Sequence, residues 1–214
     1  MIVLGIDLSG PVNTADTCLA IFESRGEKLV FRDSRQGAGD SQILEAVTTH
    51  AKAGELIIGL DAPLSYQPGG GDRPSDADLR RLVKAKGGGA GVMTPTMTRM
   101  AYLTLRGVAL TRMLESLRPA VNLRIVEVHP GAVLLLRGAS PRDVAGFKRD
   151  RGARRRLLDR LEAQGLQNLP RGEGTSDHFV AACAAALGAW QWALENPAWV
   201  ARAVLPQHPY DFAC

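Results

Sequence analysis

The sequence predicts an α/β fold with a mixed sheet, and three observations carry this prediction. Residues 2–7 and 56–61 are two nearly continuous apolar segments of strand length, and strands of this kind are usually parallel and covered on both faces. Residues 16–32 contain two further strand patterns joined by a tight turn, which predicts a hairpin. Segments with the apolar period of a helix follow both parallel strands. Helices are therefore expected on both faces of the sheet.

The strand order follows from the connections between the predicted strands. The strands are predicted, in chain order, at residues 2–9, 16–23, 28–32, 56–61 and 123–128. Short joints make the first three strands antiparallel. Right-handed crossovers place the fourth strand parallel to the first and the fifth beside the fourth. The prediction is a five-stranded sheet in the order 3-2-1-4-5.

The whole chain, 1–214, is predicted to be one domain. Residues 62–98 form a predicted glycine-rich insertion, in which the glycine triplets 69–71 and 87–89 flank a short polar helix. Flexible glycines around a charged element suggest a mobile insertion rather than a part of the core. The tail, 197–214, is interpreted as a cover for an edge of the sheet. Further helices are predicted at 41–54, 98–117, 130–136, 141–165 and 177–194.

Composition and charge limit the classes of function. The sequence has no secretion signal and no apolar run of the ~18 residues that cross a membrane. Its three cysteines are odd in number and lack metal-type spacing, which favours the reducing cytoplasm over a disulfide framework. Residues 137–171 carry ten Lys and Arg against four Asp and Glu, whereas the remainder has sixteen against eighteen. This basic stretch is either a contact for a polyanion or a solvated helix face.

Four carboxylates are predicted to meet at one edge of this sheet. Asp7, Asp61 and Glu127 stand near the C-terminal ends of the strands at 2–9, 56–61 and 123–128, and Asp177 begins the last helix. The crevice beyond the carboxyl ends of parallel strands is the usual ligand site of open α/β sheets. Carboxylates this close do not all ionise without a cation, and oxygen ligands select Mg²⁺ or Mn²⁺. Two such ions, about 3.5–4 Å apart, activate water against a phosphodiester.

Each carboxylate also has a simpler interpretation. Asp7 and Asp61 each precede turn residues and suit the role of turn formers. Glu127 suits an exposed strand position, paired with an arginine such as Arg124 or Arg99. Asp177 suits the first turn of a helix, where a negative charge contributes about 0.3–1 kcal/mol. A shared metal site explains why all of them fall at the same edge.

Four short motifs resemble the DUF429 family. They are Gly-Ile-Asp-Leu-Ser at 5–9, Gly-Leu-Asp-Ala-Pro at 59–63, Glu-Val-His-Pro at 127–130 and Ser-Asp-His at 176–178, ahead of an alanine-rich helix. The resemblance spans roughly residues 2–190, and its specificity lies in the order and spacing of the motifs. The family is described as predicted nucleases with a ribonuclease H-like fold. The resemblance therefore implies that fold and a metal-dependent nuclease activity.

The resemblance also carries over individual residues. The four carboxylates match the acidic positions of ribonuclease H-like enzymes. The segments 73–76 and 94–99 and the residue Lys148 also look like family positions. One departure is that Asp177 is followed by His178 and Phe179, where many relatives have a second acidic residue. The fourth ligand is therefore less defined than the other three.

Four further residues are candidate substrate contacts. His129 and His178 adjoin the acidic positions and suit either proton transfer and phosphate contact or a helix cap. Arg99 and Lys148 suit phosphate contacts, or solvated surface positions. Ser65 is predicted to have no partner histidine, and no Gly-x-Ser-x-Gly segment surrounds it, which argues against serine hydrolase chemistry.

The leading hypothesis from the sequence is a cytoplasmic nuclease that uses Mg²⁺ or Mn²⁺ to hydrolyse DNA or RNA. The alternative is a non-catalytic module of the same fold that binds nucleic acid or protein. A third class, the actin-like ATPases and sugar kinases, shares the sheet order but needs two such domains. A homodimer is common among resolvase-like enzymes of this fold, and the sequence leaves the oligomeric state open.

Overall fold

A computed structural model describes residues 1–89, 91–172 and 175–214, and its sheet confirms the predicted order at the centre. The order is β6-β3-β2-β1-β4-β5-β8-β7. The strands are β1 (Ile2–Asp7), β2 (Cys18–Arg25), β3 (Lys28–Gln36), β4 (Leu56–Asp61), β5 (Leu123–Val128), β6 (Leu166–Gln167), β7 (Val200–Ala201) and β8 (Phe212–Ala213). The predicted number of five strands is wrong. β6 lies at one edge of the sheet and β8 and β7 at the other, so the sheet has eight strands. Each of these three has two residues, too few to produce a periodic pattern.

The register of the central strands places two predicted site residues side by side. β1 is antiparallel to β2 and parallel to β4, and Asp7 is the register partner of Asp61. β5 is parallel to β4, with Glu127 opposite Leu60. The carboxyl ends of β1, β4 and β5 therefore meet at one edge of the sheet, as predicted.

Helices cover both faces of the sheet, as predicted. The helices are α1 (Asp40–His50), α2 (Pro74–Ala85), α3 (Met100–Glu115), α4 (Pro130–Leu136), α5 (Pro141–Gly146), α6 (Arg151–Ala163) and α7 (Asp177–Ala193). The core on one face contains side chains of α2, α4, α6 and α7, and the core on the other face contains those of α1 and α3. The predicted continuous helix at 141–165 is wrong, because it is divided into α5 and α6. Asp150 follows the segment between the two helices and caps α6, because its side chain accepts a hydrogen bond from the Gly152 N–H at 2.7 Å.

Two strand glycines allow α7 to lie unusually close to the sheet. Gly5 and Gly59 are register partners on β1 and β4. A Cβ atom on Gly5 would lie 1.9 Å from the Ala182 carbonyl oxygen, and one on Gly59 would lie 2.4 Å from that of Ala185. This close approach therefore requires glycine at these strand positions and small residues such as alanine on the facing side of α7. This close packing fixes the start of α7 beside the carboxyl end of β1.

The predicted insertion contributes to the core, so its interpretation as an element outside the core is wrong. α2 packs against α4, and Leu79 and Val83 are fully buried. Arg73 and Asp76, at the start of α2, are also buried. Their burial depends on partners far away in sequence, which the glycines and charges of this segment do not indicate. Ala90, which belongs to the predicted insertion, lies outside the described residues.

The tail pairs with the edge of the sheet, as expected for an edge cover. β8 is parallel to β5 through Glu127 and Val128, and β7 is antiparallel to β8. The three cysteines are free and buried. No helix among the described ranges is both long and apolar enough to cross a bilayer. A cytoplasmic location stays a prediction.

Candidate active site

A pair of aspartates forms the floor of a cavity at the carboxyl ends of β1 and β4. The cavity has a volume of about 650 Å³, and Asp7 and Asp61 line it. Their carboxyl groups are hydrogen-bonded to each other. Burial, together with the negative charge of Asp7, raises the pKa of Asp61 well above its ordinary value. Burial also raises the pKa of Asp7. The two groups therefore hold a proton between them in the absence of a cation, because two buried like charges in contact repel each other.

His178 contacts this pair from the first turn of α7. Its Nδ1 atom lies 2.7 Å from Oδ2 of Asp7, and its Nε2 atom lies 3.8 Å from Oδ1 of Asp16. The helix start is fixed by Ser176, whose hydroxyl accepts a hydrogen bond from the Phe179 N–H at 3.0 Å. The hydrogen bond with Asp7 raises the pKa of His178 above its ordinary value. His178 is thus a protonatable group in direct contact with the aspartate pair, whereas its place next to Asp177 predicted only that it borders the cavity.

The aspartate pair should make stability depend on pH in a defined direction. Because the pKa of Asp61 is higher in the folded than in the unfolded protein, the folded state binds more protons above pH 3.8. The free energy of unfolding then falls as pH rises through the interval between the two pKa values. An asparagine at this position has no proton to lose, so the Asp61→Asn variant should become progressively more stable than the wild type over this interval.

Denaturant unfolding of both proteins in EDTA, at several pH values upward from 3.8, the ordinary pKa of an aspartate, measures this difference. Burial lowers the pKa values of His129 and His208, so these residues make stability rise with pH, opposite to the effect of Asp61. Both proteins contain these histidines, and the difference between the two unfolding free energies at each pH therefore cancels their contribution. A stability difference that does not change with pH would show that Asp61 titrates normally.

Glu127 lines the cavity and is bound by an arginine, Arg73, which also lines it. Nη1 of Arg73 donates to Oε2 of Glu127 at 2.8 Å, and Nη2 donates to Oε1. The Leu64 N–H donates to Oε2 at 2.8 Å, and Asp76 accepts from Nε of Arg73 at 2.9 Å. Arg73 and Glu127 are 3% and 4% exposed, so the interpretation of Glu127 as an exposed strand residue is wrong. Its partner is Arg73, not Arg124 or Arg99.

This ion pair extends to the tail through a serine and a histidine. Nη1 of Arg73 donates to Oγ of Ser65 at 3.1 Å, and Oγ of Ser65 lies 2.8 Å from Nδ1 of His208. The prediction that Ser65 has no partner histidine is therefore wrong, because a residue 143 positions away in sequence provides it. Ser65 is buried and does not line the cavity. We infer that it connects the tail to the Arg73–Glu127 pair and is not a nucleophile.

The other predicted contacts divide between the cavity and the surface. Asp177 and Lys148 line the cavity, and the positive charge of Lys148 opposes the effect of burial on the pKa of the aspartates. His129 also lines it, but its Nδ1 accepts a hydrogen bond from the Ala132 N–H at 3.0 Å and caps α4. Burial lowers the pKa of His129, which favours the neutral ring. Arg99 is exposed and is not among the residues that line the cavity.

The donor set of the cavity fits a hard divalent cation through two carboxylates. Among residues 1–89, 91–172 and 175–214, no three or more His, Cys, Asp or Glu side chains are grouped as a metal site. Mg²⁺, however, commonly uses one or two carboxylates and completes its shell with waters and substrate phosphates. Asp7 and Asp61 provide two carboxylates whose mutual repulsion a cation would relieve. Whether Glu127 and Asp177 bind a cation stays a prediction.

The fold and this cavity define an α/β protein with paired aspartates at the carboxyl ends of adjacent parallel strands. The chain belongs to the family described as "Protein of unknown function (DUF429)", whose model matches residues 5–210. The predicted family membership is thus confirmed. A search of curated proteins and a search of solved structures each found no match to this chain.

Proposed function

We propose that this protein is a nuclease with a ribonuclease H-like fold that depends on Mg²⁺ or Mn²⁺. The observation that carries the proposal is the contact between Asp7 and Asp61 in the register of two parallel strands. Two acidic side chains buried together are costly for the fold unless a cation compensates them. Perturbed carboxyl pKa values in a cavity are typical of functional sites.

The distribution of charge around the cavity supports a phosphodiester substrate. The floor and rim carry Asp7, Asp16, Asp61 and Asp177, which favour cations over a bare anion. Next to this acidic floor lies the corner between α5 and α6, where Lys148 reaches the cavity. Arg149 of the same corner is exposed, as are Arg142 of α5 and Arg155 of α6. An acidic floor beside a basic rim suits a phosphate backbone that binds at the rim and reacts at the floor.

The residues of the chain have separate roles in the proposed reaction. A bound divalent cation supplies Lewis acidity, which activates water and stabilises negative charge on the phosphate. Asp7 and Asp61 hold and orient it, and His178 orients the Asp7 carboxylate through the 2.7 Å contact. His178 also provides a proton to the departing oxygen, and its hydrogen bond with Asp7 raises its pKa, which favours the protonated ring. Lys148 holds the phosphate at the rim. Arg73 and Glu127, which also line the cavity, hold each other in place through their ion pair.

The proposal predicts that Mn²⁺ or Mg²⁺ both stabilises the protein and permits cleavage of oligonucleotides. A ligand that binds only the folded state stabilises it by about 2.7 kcal/mol at 100 times its Kd. The melting temperature should therefore rise by roughly 5–10 °C for a chain of this size. Differential scanning fluorimetry measures the shift, and labelled single-stranded, duplex and branched DNA and RNA report cleavage.

The matched control for this experiment is the same protein in excess EDTA. The proposal predicts that EDTA abolishes both the thermal shift and the cleavage. Absence of cleavage with every substrate and both metals would refute the nuclease. Tight binding of nucleic acid that does not depend on metal would instead support the non-catalytic binding module.

A further inference from the structure

We infer that the nucleic acid enters this cavity as an unpaired strand, with the base of one nucleotide against a methionine-lined wall. The inference rests on the proposed function, because it names the form of substrate that the same site accepts. The methionine wall is defined here as Met93, Met100 and Leu103, which all line the cavity. Three observations support it: the aspartate pair lies deep in the cavity, the cavity walls differ in polarity, and most arginines of the basic stretch at 137–171 bind groups of the protein itself.

The aspartates lie at the bottom of a pocket and not on an open face. The Asp7 side chain is only 15% exposed, and the cavity above it has a volume of about 650 Å³. Pockets of ~300–1,000 Å³ are the size of small-molecule and cofactor sites. Enzymes that act on a base inside such a pocket use single-stranded substrate or extrude the nucleotide from the duplex, and a phosphate that reaches the same depth must bring its own nucleotide with it. A base-paired helix, whose major groove alone is about 12 Å wide, does not fit within it.

One wall of the cavity is apolar, and the opposite wall carries charged side chains beside further apolar ones such as Phe147 and Ala181. Met100 and Leu103 belong to α3, which packs on the face of the sheet opposite to α7. His178 and Lys148 reach the cavity from α7 and from the corner between α5 and α6, which lie on the other face. A nucleotide has the same division, since its base is apolar on its π-face and its phosphate is charged. Met93 is 44% exposed although it lines the cavity, as expected of a side chain that a base covers.

The basic stretch is largely used within the protein, which argues against a broad duplex-binding groove. Arg156 binds Asp143, and Arg171 binds Asp159 and Glu162. In the same stretch, the Arg137 carbonyl accepts from Arg160 and the Phe147 carbonyl accepts from Arg154. Within this stretch, the cation that lines the cavity is Lys148, at the short α5–α6 corner. One such corner is sufficient to contact the phosphate backbone of a single strand, whereas a duplex has two phosphate backbones.

The test compares one labelled sequence as a single strand and as a blunt duplex, with Mn²⁺ and the full-length protein. The single strand should be cleaved at least about tenfold faster, because the duplex must first unpair and unstack a nucleotide. Equal or faster cleavage of the duplex would overturn this inference and leave the proposed nuclease intact. Absence of cleavage of both would overturn the proposed function and the inference with it.

A pair of methionine variants tests the wall itself. Met93→Ala should raise the KM for the single strand by roughly two- to tenfold with little change in kcat, because a sulfur–aromatic contact with the base is lost. Met97→Ala is the matched control, since Met97 is 53% exposed and is not among the cavity residues. Equal KM values for the two variants would overturn the assignment of the wall. Thermal unfolding verifies that both variants are folded.

Discussion

The Asp7→Asn variant is expected to lose metal-dependent cleavage by more than about 100-fold, because loss of a metal ligand exceeds the 10–100-fold effect typical of a residue that only supports one. Asparagine keeps the size of Asp7 but removes the charge that holds the cation and pairs with His178. The same change should abolish the thermal shift on addition of Mn²⁺. Initial rates of oligonucleotide cleavage and fluorimetry in parallel measure the two effects.

The control for Asp7→Asn is Asp33→Asn, since Asp33 is an exposed residue on β3, away from the cavity. Asp33→Asn should leave both the rate and the thermal shift unchanged. Because Asp7→Asn also removes the negative charge beside His178, Asp61→Asn serves as a second site variant that retains it. Full cleavage in either folded site variant would exclude the aspartate pair as the catalytic centre.

The Arg73→Met variant is expected to lose about 3–5 kcal/mol of folding free energy, because removal of one partner leaves a buried charge without compensation. Here two buried carboxylates, those of Glu127 and Asp76, lose their ion-pair partner at once, since both pair with Arg73. At ~2–4 °C per kcal/mol, the melting temperature should fall by roughly 6–20 °C. Denaturant unfolding monitored by circular dichroism measures the change in free energy.

Two further variants distinguish the buried ion pair from a general effect of losing an arginine. Arg81→Met removes an exposed arginine of the same helix, whose ion pair with Asp78 is largely solvated, and should cost less than about 1 kcal/mol. Arg73→Met combined with Glu127→Gln should recover part of the loss, since the neutral amide is less costly to bury. A double variant as unstable as the sum of its single changes would contradict this account.

The predicted interior of the sheet was correct because its information is local. Continuous apolar runs at 2–7 and 56–61 identify buried parallel strands, and the short joints and crossover rules then determine the central order. The same rules put Asp7 and Asp61 at equivalent ends of neighbouring strands, which is their observed register. His178 and Lys148 at the cavity followed from the positions of family motifs in the chain.

Other features depend on partners that are distant in sequence. The two-residue strands β6, β7 and β8 exist only because a longer strand is available beside them. The burial of α2 depends on α4, and the role of Ser65 depends on His208 in the tail. The segment Arg-Pro-Ser-Asp at 73–76 resembles family positions in the sequence. Nothing in its local pattern indicated that its arginine would bind Glu127.

The sequence by itself determined the α/β class, the central strand order and the pairing of Asp7 with Asp61, because apolar periodicity and chain connectivity act over short distances. Only the tertiary structure decided that Glu127 is bound by Arg73 and that His178 contacts Asp7. The first depends on a side-chain contact across 54 positions and the second on one across 171. Such contacts are selected by the packing of whole elements, as the approach of α7 to Gly5 and Gly59 shows. The local pattern of residues does not contain that information.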